Sequence, residues 1–224
     1  MKYGQALSFI IHEENWFKKL AIATGFAILM PLGIGLLALT GWSMGVARRA
    51  IQREEQKLPS WSMLGKILID GLKGLGVILV WFLPALVLSL APTTISALSA
   101  LEGNHVINFL PLNNKIIFWL YFTALIYCLY AGIMTTAGLE VLARSGSFRR
   151  SIKPSVVWLN FLSRKRNYVA VFVVLIFLGI FLTLFGASLC LVGLLPIWAY
   201  TFTVIGHLIG QASTDREPDL EMVV

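Results

Sequence analysis

The chain has 224 residues, of which 58% are hydrophobic and 13% are charged, with a formal net charge of +7. An ordinary soluble domain is roughly 45–50% apolar and about 25% charged, so a water-soluble monomer has no place to bury this much apolar surface. Two cysteines exclude a disulfide-stapled scaffold, and the composition predicts an all-α, polytopic transmembrane helical bundle.

The N-terminal residues Ala6, Phe9, Ile10, Trp16 and Phe17 pattern as a short amphipathic helix lying in the interface. No cleavable signal peptide is expected, because the apolar run starts only after Lys19 and follows Glu13-Glu14. The first expected span covers residues 20–47, with Pro31-Leu32-Gly33-Ile34-Gly35 at its centre. It reads as one long, tilted, kinked helix, and a re-entrant hairpin is the competing reading.

A basic connection follows, with Arg48, Arg49, Arg53, Lys57, Lys66 and Lys73. Within it, Trp61, Leu64, Leu68 and Leu72 fall on one helical face and Lys66, Asp70 and Lys73 on another, with Ser60 as N-cap. This predicts an amphipathic helix on the inner surface, in which Asp70 is a salt-bridged surface residue. The second span, 74–98, and the third, 116–142, flank a connection holding only Glu102, His105 and Lys115.

The next connection carries Arg144, Arg149, Arg150, Lys153, Arg164, Lys165 and Arg166 without an acid between Val141 and Asn167. Phe148, Ile152, Val156 and Leu159 recur there at helical spacing, and Trp158 stands where an interface anchor belongs. The last apolar stretch, 168–211, is too long for one crossing. It divides near Phe185-Gly186 into spans 168–185 and 187–211. Together these make about five spans in one domain, 1–211, or four spans plus the N-terminal hairpin. An acidic tail, 212–224, is expected to be disordered and, on the simplest reading, solvated, with contact to the basic connections as the alternative.

The two basic connections mark the cytoplasmic side and put the C-terminus inside, in a bacterial or archaeal cell membrane. Five spans put the N-terminus outside; a hairpin moves it inside. The positive-inside pattern accounts for the net charge without nucleic acid, and anionic inner-leaflet lipid is the expected partner. Spans one and five share Pro31, Gly41, Gly45 and Pro196, Gly206, Gly210 at equal offsets. The pairing predicts two close-packed helices of like shape, each kinked by its proline.

Chemistry is sparse. Glu140 reads as an i, i+4 ion pair with Arg144, and His207 as a packing histidine. Cys128 and Cys190 read as small packing residues, and His12-Glu13-Glu14 is not a zinc motif. Thr123, Tyr127 and Tyr130 form a polar strip suited to helix–helix hydrogen bonding. No catalytic, cofactor or metal residues are assigned.

Several short motifs stand together: Gly41-Trp42, Arg48-Arg49, Leu58-Pro59-Ser60-Trp61, Asp70-Gly71-Leu72-Lys73 before a span with Pro84, and Leu208-Ile209-Gly210-Gln211-Ala212. This layout resembles the bacterial and archaeal membrane-protein family catalogued as domain of unknown function 4013. Ser60 stands where that family's Leu-Pro-x-Trp element is expected to carry an acid. The resemblance implies a polytopic helical membrane protein and supplies no activity or functional residues. The expectation is therefore a non-enzymatic scaffold, assembly or accessory subunit that packs with membrane proteins or with itself. A small transporter or permease-like protein is the alternative, and a lipid-acting intramembrane enzyme would need Glu140, Asp70 and His207 in one pocket.

Overall fold

A computed structural model describes residues 10, 13, 15–52, 58–101, 114–188 and 193–214, with backbone alone at 91–92, 95–101, 114–116, 187–188 and 214. All regular structure among them is helical. The helices are α1 (Trp16–Ile28), α2 (Ile34–Ile51), α3 (Leu64–Leu101), α4 (Asn114–Ser145), α5 (Phe148–Ile152), α6 (Pro154–Ser163), α7 (Lys165–Ser188) and α8 (Leu194–Thr214). Short 3-10 turns at Met30–Leu32 and Trp61–Met63 precede α2 and α3.

Three described helices are long and apolar enough to cross a membrane: Trp61–Leu90, Ile117–Ser145 and Lys165–Gly186. Their side chains are widely exposed, with Leu79, Leu83, Leu90, Phe118, Phe122, Phe177, Phe181 and Leu184 all pointing away from the core. These three correspond to the expected spans 74–98, 116–142 and 168–185. The ranges expected for the first and fifth spans behave differently.

Residues 20–47 do not form one kinked helix. The chain breaks at Leu29–Gly33, where Gly33 adopts φ +77°. Pro31 cannot donate a helical N–H, and the left-handed Gly33 turns the chain back. Gly35 then lies so close to the Phe26 carbonyl that a Cβ there would strike it. At the far ends, Lys19 Nζ and an Arg49 guanidinium nitrogen both donate to the Leu58 carbonyl, at 2.8 and 2.9 Å. The start of α1 and the end of α2 therefore meet, and the pair is an antiparallel helical hairpin with residues 29–33 at its tip.

The expected surface helix at 60–73 is also revised. It is continuous with the second span, in the 38-residue helix α3. Its inward face is Ile67, Asp70, Gly71, Gly74, Val77 and Trp81, whereas Leu64 and Leu72 point outward. Gly41 and Gly71 let α2 and α3 cross with their backbones touching, each facing the other helix's carbonyls at Ile67 and Leu37. The Ser60 cap is present: its hydroxyl accepts from Ser62 N–H at 3.3 Å.

The second basic connection is two helices rather than one, because Pro154 takes the first turn of α6 and Lys153 is extended. Phe148 packs on Gly76, Val157 is buried, and Leu159 is exposed. Trp158 is exposed, as an anchor would be.

The remaining order follows from close contacts. Helix α4 runs antiparallel to α3, with Gly138 beside Val77 and Trp81 and Leu139 beside Gly74. Helix α7 runs antiparallel to α4, with Phe172 on Gly132. Helix α7 continues through Phe185-Gly186 to Ser188, so the division expected there is revised, and Gly186 packs on Leu194 and Ile197. Helix α8 lies parallel to α2: Gly206 faces Ser43 and Gly210 faces Ala47 and Ala50. The two helices of like pattern are thus packed together as expected. Neither is kinked, since Pro31 is in the hairpin tip and Pro196 in the first turn of α8.

The helix α8 continues through Thr214, so the expected tail begins later than 212. Residues 215–224 lie outside the described residues. So do Ala6, Phe9, His12, Glu14, Arg53, Lys57, Glu102, His105 and Cys190. Of the expected N-terminal amphipathic stretch, Ile10 is buried, Trp16 half-buried and Phe17 exposed.

Candidate functional site

Helix directions bring one end of α2, α4 and α8 beside the starts of α1, α3 and α7, together with α5 and α6. Every described Lys and Arg except Lys115 stands at this end. The cations divide into those held by partners and those left exposed.

Three clamps hold the first group. Glu140 on α4 has a side chain only 1% exposed. Its Oε1 accepts from Arg144 Nε at 2.9 Å and lies 3.5 Å from an Arg164 guanidinium nitrogen. Its Oε2 accepts from Asn160 Nδ2 and, at 3.1 Å, from Tyr168 Oη. Arg144 also donates to Ser213 Oγ at 3.0 Å. The Glu140–Arg144 pair predicted from spacing is present, but it is one side of a buried network joining α4, α6, α7 and α8. Arg164, Asn160, Tyr168 and Ser213 carry no periodic signal that would single them out.

Asp70 is also ion-paired, though not as a surface residue. It is buried and receives both terminal nitrogens of Arg48 from α2, one at 2.9 Å, while Arg48 Nε donates to the Ala143 carbonyl at 3.3 Å. A buried carboxylate must be matched by charge and hydrogen bonds, and this bidentate fork supplies both. The third clamp is Lys19 with Glu13, whose other oxygen accepts from Leu58 N–H at 2.7 Å.

The Leu58-Pro59-Ser60-Trp61 element is seated by this clamp. Leu58 and Trp61 are buried, and the Pro59 ring fills the space beside Gly45. Trp61 stacks on Trp42 and on Phe26, with centroids 4.3 and 5.0 Å apart. The short motifs read in the sequence therefore converge: Trp42 with Trp61, Gly41 with Gly71, Arg48 with Asp70, and Gly210 with α2. They build a packed junction.

The other singled-out residues are dispersed. His207 is buried, and its Nε2 lies 3.1 Å from Gln211 Nε2. Glu140, Asp70 and His207 have separate partners on three helices, so the geometry does not assemble the pocket an intramembrane enzyme would need. Thr123 donates to the Trp119 carbonyl at 2.8 Å, and Tyr127 and Tyr130 pack on each other, with Tyr130 also against Trp81. Cys128 is a free, half-buried thiol. Among the described residues, no group of three or more His, Cys, Asp or Glu side chains could hold a metal ion.

The second group of cations is exposed: Lys18, Lys66, Arg149, Arg150, Lys153, Lys165 and Arg166. None is ion-paired among the described residues. Exposed Trp158, Leu159 and Leu162 on α6 lie in the chain between Lys153 and Lys165. Such a stretch offers both charge to anions and apolar side chains to acyl chains.

Nothing among curated proteins and nothing among solved structures matches the chain. A family model does, over residues 24–191, a range that takes in the hairpin from Thr24 onward, the Arg48–Asp70 and Glu140 ion pairs and the two basic connections, but not the Glu13–Lys19 clamp. With most of its length matched in this way, the chain belongs to the family described as protein of unknown function (DUF4013).

Proposed function

We propose that this protein is a non-catalytic membrane component, a scaffold, assembly or accessory subunit, whose basic end rests on the anionic inner leaflet of a cell membrane. Helices α3, α4, α7 and α8 cross the bilayer, and α1–α2 enters and leaves on the basic side. Helix α1 has 13 residues, about 20 Å, against a hydrocarbon layer of about 30 Å, so it is too short to cross. The N-terminus and the C-terminus then share the cytoplasmic side.

The observation that carries this reading is the segregation of exposed cations without an ion pair among the described residues, Arg149, Arg150, Lys153, Lys165 and Arg166, in the same stretch of chain as exposed Trp158, Leu159 and Leu162. Each such cation near an anionic surface contributes about 1 kcal/mol. Arg164 is not part of the lipid face, because it is turned inward to Glu140. The exposed apolar flanks of α3, α4 and α7 are available to lipid, to other membrane proteins or to a second copy. A transport reading would rest on helices kinked by proline at mid-membrane, and Pro31 and Pro196 stand instead at a tip and in a first turn.

The test is purification in mild detergent with mass analysis of the attached lipids and proteins. Phosphatidylglycerol or cardiolipin retained by the native chain, and lost on changing Arg149, Arg150, Lys165 and Arg166 to Gln, supports the reading. Equal lipid retention by both forms overturns the inner-leaflet part of it.

A further inference from the structure

We propose that the groove along the start of α1 holds one acyl chain of an anionic glycerophospholipid of the inner leaflet, with its phosphate at Lys18. The site deepens the lipid reading above and rests on its orientation, in which α1 enters from the basic side.

The groove has a volume of about 310 Å³ and is lined by Trp16, Phe17, Leu20, Ala21, Thr24 and Pro196. The five α1 residues stand at i, i+1, i+4, i+5 and i+8, which is one face of a helix. The Thr24 hydroxyl donates to the Leu20 carbonyl at 2.9 Å, so its proton is already used within the helix. Pro196 has no backbone N–H to offer. The wall therefore presents hydrocarbon, and it is open along one side, where Phe17 is 72% exposed and Ala21 is exposed.

Size and depth select the occupant. Trp16 and Thr24 are eight residues apart, about 12 Å along the helix, and one leaflet contributes about 15 Å of hydrocarbon, half of the layer. A helix about 10 Å across and 12 Å long would fill on the order of 900 Å³, so a partner helix does not fit within the groove. One extended hydrocarbon chain, about 4 Å across by carbon contact distance, needs on the order of 200 Å³ over the same length.

The charge stands at the matching end. Lys18 follows Phe17 directly and is exposed, without an ion pair among the described residues. Lys19 is turned instead to Glu13 and the Leu58 carbonyl. Lys18 is thus the cation of the pair left for a phosphate. Trp16, edge-on to Phe17 at 5.7 Å, stands where an amphipathic ring meets headgroups. Apolar contact within a bilayer adds packing rather than hydrophobic force, so the charge at Lys18 sets which lipid stays.

The test uses the full chain in phosphatidylcholine nanodiscs doped with phosphatidylglycerol or phosphatidylcholine bearing a photoactivatable diazirine on one acyl chain. Mass spectrometry locates the adducts. The expected result is adducts at Leu20, Ala21 or Thr24, with the phosphatidylglycerol probe about fivefold above the phosphatidylcholine probe, the preference that one Lys beside an anionic lipid confers. Phe177 and Phe181, exposed on α7, report lipid that merely surrounds the protein and should show no such preference. Lys18→Gln, at an exposed position, should erase the preference. Ala21→Trp should fill the groove and abolish its adducts, with the melting temperature in detergent showing that the fold is kept; if it falls, Lys18→Gln decides alone. Absence of groove adducts, equal labelling by the two probes, or a preference unchanged in Lys18→Gln overturns the proposal. The lipid reading above fails instead on equal lipid retention after changing Arg149, Arg150, Lys165 and Arg166, none of which lines the groove, so the two failures are distinguishable.

Discussion

Trp42 and Trp61 lie almost face to face, with ring centroids 4.3 Å apart and planes 8° from parallel. Their indole nitrogens point to different parts of the molecule. Trp42 donates to Thr203 Oγ1 on α8, and Trp61 donates to the Lys19 carbonyl on α1, both at 3.1 Å. Phe26 completes the stack on Trp61. Three aromatic rings therefore tie both arms of the hairpin, the connection after it and the last helix into one junction.

Removing the centre of that stack is expected to be costly. Trp61→Ala should destabilise the fold by about 3–5 kcal/mol, the range for deleting a buried Trp side chain. A large fall in melting temperature in detergent would show it, while the neighbouring Ser60→Asp, exposed and still able to cap, should leave the melting temperature unchanged.

Glycine substitutions should separate into two classes. A Cβ at Gly41, Gly71 or Gly206 would fall onto a backbone carbonyl of the neighbouring helix, at Ile67, Leu37 and Ser43 respectively. Alanine there must push helices apart, so yield and melting temperature should drop sharply. Nothing lies within 4 Å of a Cβ at Gly25 or Gly179. Alanine at these helical positions should be neutral or stabilising by up to about 1 kcal/mol.

Gly33 tests the hairpin tip in particular. Its space is open, but its φ of +77° is the obstacle. Gly33→Ala should cost about 1–2 kcal/mol through backbone strain alone. Gly33→Asn should cost less, because Asn tolerates the left-handed region. Equal melting temperatures for the two variants would argue against a left-handed tip.

The Glu140 network should behave as a unit. Glu140→Leu leaves Arg164, whose side chain is 13% exposed, without its carboxylate, a loss on the order of 3–5 kcal/mol for a buried pair. The double variant Glu140→Leu, Arg164→Leu should recover part of that loss. A double-mutant cycle in a detergent unfolding assay measures the coupling, and strictly additive effects would contradict it.

The long helices were legible because lipid demands long apolar runs, and α3, α4 and α7 stand where those runs are. Which side of a helix faces inward was not legible by the usual rule. In 60–73 Leu64 and Leu72 face outward and Leu68 is half-buried, while Asp70 and Gly71, with Gly74 just beyond, face the core. Where the surroundings are themselves apolar, small and polar residues mark the interior and leucines do not. The Gly-x-x-x-Gly spacing read correctly for the same reason, since it reports close approach rather than hydrophobicity. The hairpin at Pro31-Leu32-Gly33 was visible only as an alternative, because a proline and a glycine can kink a helix or reverse it. What decides is the distant Leu58 carbonyl that gathers Lys19 and Arg49. Glu140 was found with its neighbour in sequence, but Asn160 and Tyr168 arrive from other helices and no local spacing announces them.

The central claim is that the basic end, with both arms of the hairpin returning to it, faces the cytoplasm. Single cysteines placed at Lys18, Arg149 and Lys165 in a Cys128→Ser, Cys190→Ser background measure this directly, using a membrane-impermeant maleimide on intact cells and on inverted vesicles. The account predicts labelling of all three only in inverted vesicles. Labelling of Arg149→Cys or Lys165→Cys in intact cells would contradict the orientation, and labelling of Lys18→Cys alone would contradict the hairpin.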